Sequence, residues 1–127
     1  MELRSLRREE MPFENGAFGE RLMPWKAMNA PFEGAWVVVP AGGATGVHSH
    51  HEYELFIAVA GEGVVETDGE QRPFRAGDIE FHAPHREHRV INTGAQDFEF
   101  YAVWWDTDMS AVFLDRHEGE VLSSRAD

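Results

Sequence analysis

Residues 48–69 read HSHHEYELFIAVAGEGVVETDG, and the reading of this stretch decides the fold class. Leu55-Phe56-Ile57-Ala58-Val59 is a β-branched and aromatic run stopped by Gly61-Glu62-Gly63. Val64-Val65-Glu66-Thr67 then leads into Asp68-Gly69, the dipeptide that suits a two-residue hairpin because both central residues tolerate positive φ. The same alternation of run and turn extends outward. Upstream, Trp36-Val37-Val38-Val39 is stopped by Pro40 and Gly42-Gly43. Downstream, Gln71 to Arg75 returns, Gly77-Asp78 turns, and Ile79-Glu80-Phe81-His82 forms a further strand. Arg89-Val90-Ile91 and Phe98 to Trp105 complete the set, with Thr93-Gly94-Ala95 between them. About eight short strands with a turn signal between each pair predict an all-β sandwich or barrel with little helix.

The flanks are less regular. Residues 1–12 mix charge with Leu3, Leu6 and Met11 and read as a short helix or as a docking arm. Residues 13–34, with Pro24 and Pro31 as breakers, read as short strands and turns. Ser110 to Leu122 is expected to carry a helical turn or another strand, and residues 123–127 to fray. The expected organisation is one domain over 1–127, with its barrel over 36–105.

The chain has 127 residues, 11 basic against 23 acidic, and a formal charge of -12. That balance repels phosphate backbones and anionic lipid, which argues against nucleic acid and membrane surfaces as partners. No stretch approaches the roughly 20 apolar residues of a spanning helix. Met1 to Arg8 is charged where a secretory leader needs an apolar run, so a cytoplasmic location is the expectation. With no cysteine, disulfides, thiolate metal sites and cysteine nucleophiles are excluded.

His48 and His50 have period-2 spacing and face the same way on a strand. Such a pair by itself is more often surface decoration than a ligand pair. Glu54 shares the parity, but in a straight strand it would lie roughly 13 Å from His50, too far to share an ion. If these residues act together, the chain must turn between Ser49 and Tyr53, bringing the strand that starts at Glu54 beside the one that ends at His50.

The spacing of the flanking residues resembles the cupin superfamily. Gly42, five residues, His48-Ser49-His50, three residues, Glu54, six residues and Gly61 match the first cupin motif. Gly77, Pro84, His88 and Asn92 answer the second, with Pro84 one position late and His85 in place of the customary glycine. The resemblance implies a cupin-type jelly-roll β-barrel of antiparallel strands, with one divalent metal ion inside held by His48, His50, Glu54 and His88. Nitrogen and oxygen donors without sulfur suit Zn, Fe, Mn, Ni or Co. Four protein ligands saturate a tetrahedral ion, so catalysis requires five- or six-coordination or loss of a ligand.

Parity places Phe56, Ala58 and Val90 in the barrel, together with Phe98, Phe100, Ala102 and Trp104. Trp36, Phe56, Phe100 and Trp104 are the candidate substrate-pocket residues. The catalytic candidates are His51, Tyr53 and His82, each with a blander reading as a rim, core or structural side chain. A face carrying Tyr101, Val103 and Trp105 is apolar for solvent exposure, and a homodimer interface or the N-terminal arm is expected to cover it.

Three functions fit these residues. The first is a metal-dependent enzyme acting on a small organic molecule, of dioxygenase, isomerase, cyclase or lyase type. The second is a small-ligand binding or sensing module, disfavoured by the absence of a basic DNA-binding segment. The third rests on Tyr101 to Asp106 and Glu52 to Leu55, which resemble cupin domains that accompany methionyl-tRNA-synthetase-like proteins. That resemblance implies a synthetase-like partner and a zinc-dependent N–N bond formation from an amino-acid hydroxylamine ester.

Overall fold

The computed structural model describes residues 1–28, 30–111 and 115. Nine strands follow a 3-10 turn at Arg8–Glu10: β1 (Phe13–Glu14), β2 (Ala17–Arg21), β3 (Glu33–Val39), β4 (Tyr53–Ala60), β5 (Glu62–Thr67), β6 (Glu70–Arg75), β7 (Ile79–His82), β8 (His88–Ile91) and β9 (Phe98–Trp105). Every pairing is antiparallel. One sheet has six strands in the order β1-β2-β3-β9-β4-β7, the other three in the order β6-β5-β8. The result is the jelly-roll barrel that the cupin resemblance implies.

Asp68 and Gly69 both adopt positive φ (50° and 82°), closing the β5–β6 hairpin as their identities require. Asn15-Gly16, with φ of 54° and 82°, closes β1–β2 in the same way. Inward-facing residues of both sheets meet in one core: Val39, Phe56, Ala58, Phe98, Phe100 and Ala102 from the larger, Val65, Phe74 and Val90 from the smaller. Phe74 crosses the gap to Phe98, with ring centroids 5.5 Å apart. Asn92, the last residue of the second motif, is buried and fully used. Its amide donates to the carbonyls of Val39 (2.9 Å) and Gln96 (2.7 Å), and its oxygen accepts from Gly94 N–H at 2.9 Å. Those bonds tie the end of β3 to the β8–β9 loop.

The N-terminal residues are both a 3-10 turn and a docking arm. Arg4 donates to the carbonyls of Leu22 (2.6 Å) and Arg21 (3.0 Å), while Arg8 pairs with Asp97 at 3.1 Å and lies over the Phe18 ring. Within the tail, residues 107–111 are helical. The expected fraying of 123–127 falls outside the described residues.

The outer face of the six-stranded sheet carries an aromatic ladder. Tyr53 stacks between Phe81 (6.2 Å) and Trp105 (6.0 Å), and Trp36 stacks on Tyr101 at 6.4 Å. Two expectations are thereby corrected. Trp36 pairs across from Tyr101 in the β3–β9 register and faces away from the barrel interior, so it does not line the cavity beside the four motif residues. Tyr53, one residue before the inward Glu54, points to the same outer face and is removed from the metal-centre side chains. Among the described residues no helix is long and apolar enough to cross a membrane.

Candidate metal centre

The four motif residues arrive from three segments. Residues 43–48 run antiparallel beside β8: Thr45 N–H donates to the Val90 carbonyl at 2.9 Å, and His48 and His88 exchange backbone bonds of 3.2 and 3.0 Å. His50 lies beyond that bridge, Glu54 is the second residue of β4, and His88 is the first of β8. The chain does turn between Ser49 and Tyr53, but β4 does not lie beside the 48–50 segment. The neighbours of β4 are β7 and β9, so Glu54 meets the histidines across the gap between the two sheets.

One donor atom from each of His48, His50, Glu54 and His88 lies within 4.8 Å of all the others. His50 Nε2 and His88 Nε2 stand 3.0 and 3.1 Å from Glu54 Oε1, and His48 Nε2 is 3.1 Å from His88 Nε2. The tautomers follow from the far side of each ring. His48 Nδ1 faces the Gly46 carbonyl (3.1 Å), His50 Nδ1 that of Glu52 (3.1 Å) and His88 Nδ1 that of Arg86 (2.9 Å). A carbonyl only accepts, so each Nδ1 carries a proton and each ring turns its Nε2 inward. Three lone pairs and a carboxylate converging on one point repel one another unless a cation or extra protons lie between them. The donor set therefore fits a divalent ion.

His85 occupies the slot of a customary glycine, and it adopts the positive φ (67°) such a slot requires. Its N–H donates to the His50 carbonyl at 2.7 Å. The irregular turn before His88 is thereby fastened to the ligand segment, and His88 keeps its place.

Burial disfavours the charged form of Glu54, but contacts with His82, His88 and His50 outweigh it and hold the carboxyl down at about 2. Desolvation lowers the His48 pKa despite the Gly46 carbonyl, which favours the neutral, metal-ligating ring. His82 behaves differently. Its side chain is 1% exposed, its Nε2 lies 3.1 Å from Glu54 Oε1, and its Nδ1 lies 3.0 Å from a Glu80 oxygen. Burial lowers its pKa, yet the two carboxylates outweigh that and raise it to about 9. A raised folded-state value stabilises fully below 6.5 and loses its effect as pH rises through about 9. The melting temperature of metal-free protein is thus expected to fall between those pH values, and His82→Phe to flatten that limb in melts read by circular dichroism.

His48, His50 and Glu54 open into a cavity of about 810 Å³. Phe56, Phe100 and Trp104 line it, while Trp36 and Tyr53 do not. His51 is also outside it, exposed and 3.4 Å from Asp106. The opposite wall comes from the N-terminal third: Arg4, Phe18, Arg21, Met23 and Pro24. The Arg21 guanidinium lies 5.7 Å from the Trp104 ring centroid. The sequence names none of these wall residues, because only the docking of β2 beside β3 brings them over the ligands.

Residues 35–104 match the Cupin_2 family, described as Cupin domain. A Cupin 2 conserved barrel domain protein from Salinispora arenicola is 46% identical, with a TM-score of 0.82 over 92% of this chain and 98% of its own. The plu4264 protein from Photorhabdus luminescens is 39% identical, with a TM-score of 0.81 over 91% and 97%. Over 66 residues the chain is also 39% identical to the oxalate-binding protein of Thermotoga maritima, covering 51% of this chain and 54% of that protein. The chain thus spans about half the length of the curated relative it matches. The family match covers more than half of the 127 residues and contains all four converging donors, so the chain is a member of the Cupin_2 family of cupin domains.

Proposed function

We propose that this chain is a mononuclear metal-dependent cupin enzyme whose substrate is a small carboxylate-bearing molecule that chelates the ion. The observation that carries this reading is the convergence of the His48, His50, Glu54 and His88 donors, three of which open into a cavity. His48, His50, Glu54 and His88 would hold the ion, which supplies Lewis acidity and open coordination positions when bound. Three neutral imidazoles and one carboxylate leave about +1 on a divalent ion, so an anion is favoured beside it. Arg21, at the Trp104 side of the cavity, and Arg4, paired with Glu20, bring positive charge to a lining that also carries Glu14 and Glu52. Phe56, Phe100 and Ala102 supply an apolar floor that excludes water around the bound molecule. The oxalate-binding relative is consistent with a chelating dicarboxylate. A cavity of about 810 Å³ accommodates a larger molecule than oxalate as well.

The test is calorimetric titration with oxalate and with 2-oxo dicarboxylates. Mn(II)-loaded protein is expected to bind at least one of them in the micromolar range (about -8 kcal/mol). Binding should vanish after chelator treatment and return when Mn(II) is restored. Equal binding by metal-free protein would overturn the chelation reading. A second reading, a binding protein without chemistry, is favoured by the relative's printed function. It predicts the same titration with no turnover of the bound acid.

The residues that resemble the cupin domains accompanying methionyl-tRNA-synthetase-like proteins divide between the two faces. Tyr53, Tyr101 and Trp105 join the outer aromatic ladder, whereas Glu52, Glu54, Ala102 and Trp104 line the cavity.

A further inference from the structure

We infer that His82 and Glu80 form a positioning pair that holds the Glu54 carboxylate in the orientation that serves the bound ion. This rests on the metal-centre reading above. The starting point is an asymmetry among the four ligands. Each histidine ligand is anchored from behind by a backbone carbonyl, that of Gly46, Glu52 or Arg86. Glu54 has no such anchor: among the described residues its side-chain partners are the rings of His50, His82 and His88. The Nε2 atoms of His50 and His88 belong to the ion once it binds. His82 is then the partner left to fix the carboxylate.

The β4–β7 register delivers it. Glu54 pairs across from His82, and Phe56 from Glu80, so both β7 residues share the inward face with Glu54. His82 Nε2 donates to Glu54 Oε1 at 3.1 Å, and Nδ1 donates to Glu80 at 3.0 and 3.1 Å. The ring thus spans two carboxylates, with Glu80 behind it and Glu54 in front. His82 stands outside the group of four converging donors.

Barrel packing alone does not ask for this arrangement. A buried ion pair is often matched or surpassed in stability by apolar residues of similar volume. Here His82 and Glu80 occupy inward positions on the edge strand β7, against Glu54 on β4 and beside Phe56, whose ring centroid is 5.0 Å from that of His82. Partners that orient metal ligands typically contribute 10–100-fold to affinity.

The experiment measures Mn(II) affinity by chelator competition and the visible spectrum of the Co(II)-substituted protein. Relative to wild type, His82→Phe is expected to raise the Mn(II) dissociation constant by about 10–100-fold and to shift the Co(II) bands. His82→Gln, which retains a donor for Glu54, should recover the affinity to within about threefold and restore the spectrum. Glu80→Gln keeps the shape of the side chain and should weaken binding by about three- to tenfold. An unchanged dissociation constant in His82→Phe overturns the inference. If that variant does not fold, an unchanged constant in Glu80→Gln does so. Wild-type protein that takes up no Mn(II) at one equivalent overturns the metal-centre reading instead.

Discussion

His50→Ala is expected to weaken Mn(II) binding by at least about a hundredfold, roughly 2.7 kcal/mol, while leaving the metal-free fold near wild-type stability. The first half follows from the donor count. Removing one of four converging donors loses a metal bond, and replacing it with water does not restore the carbonyl-anchored geometry of the ring. The second half follows from position. His50 lies in an irregular segment between the His48–His88 bridge and β4, and its side chain is 23% exposed. It contributes no strand pairing, and its Nδ1 contact with the Glu52 carbonyl is local. His51→Ala is the matched control. That ring is 66% exposed, lies outside the cavity and faces Asp106, so its loss should change affinity by less than about twofold. Chelator competition on both variants, with circular dichroism melts of the metal-free forms, separates the outcomes. Comparable weakening in the two variants would remove His50 from the ligand set.

The second large effect is expected at a distance from the ligands. Gly16 has φ of +82°, and a Cβ built there would overlap the carbonyl oxygen of Ala44. Its neighbour Asn15 accepts from Gly46 N–H at 3.1 Å, so the β1–β2 turn is clamped onto the segment that delivers His48. Gly16→Val must carry a β-branched residue into the left-handed region, at about 1–2 kcal/mol, and must push residues 44–46 aside. A total near 3 kcal/mol corresponds to a fall of about 10 °C in Tm for a domain of this size. Gly69→Val isolates the conformational part, since Gly69 has the same φ of +82° and open space around its Cβ position. It should cost about 1–2 kcal/mol and leave Mn(II) affinity unchanged. Gly16→Val should lower both Tm and affinity. Equal Tm losses would show that the clamp is slack.

Local patterns in the sequence carry the strands, the Asp68-Gly69 hairpin and the inward set Phe98, Phe100, Ala102 and Trp104, because strand periodicity and turn chemistry are properties of neighbours. The four metal-binding positions are legible only through the resemblance, since their spacing means nothing until the chain turns. Register is where the sequence reading fails. Trp36 looks like a pocket residue until β3 is aligned with β9, about 65 residues later, and placed opposite the outward Tyr101. The neighbours of β4 are likewise a matter of non-local pairing: the sequence reading puts the segment ending at His50 beside β4, whereas residues 43–48 lie beside β8. Tyr53 is a different lesson. Adjacent residues of a strand point to opposite faces, so an inward Glu54 already excludes it. The Glu54–His82 contact spans 28 residues and depends on the β4–β7 register, so neither residue announces the other.

The cavity draws its two halves from different stretches of the chain. The ligands lie between residues 48 and 88, whereas Arg4, Phe18, Arg21, Met23 and Pro24 form the facing wall. That division separates the inheritance of chemistry from the inheritance of selectivity. Substitutions at Arg4, Phe18, Arg21, Met23 and Pro24 can remodel what the cavity admits without touching a metal ligand, provided the β1–β2 turn that clamps the His48 segment is kept.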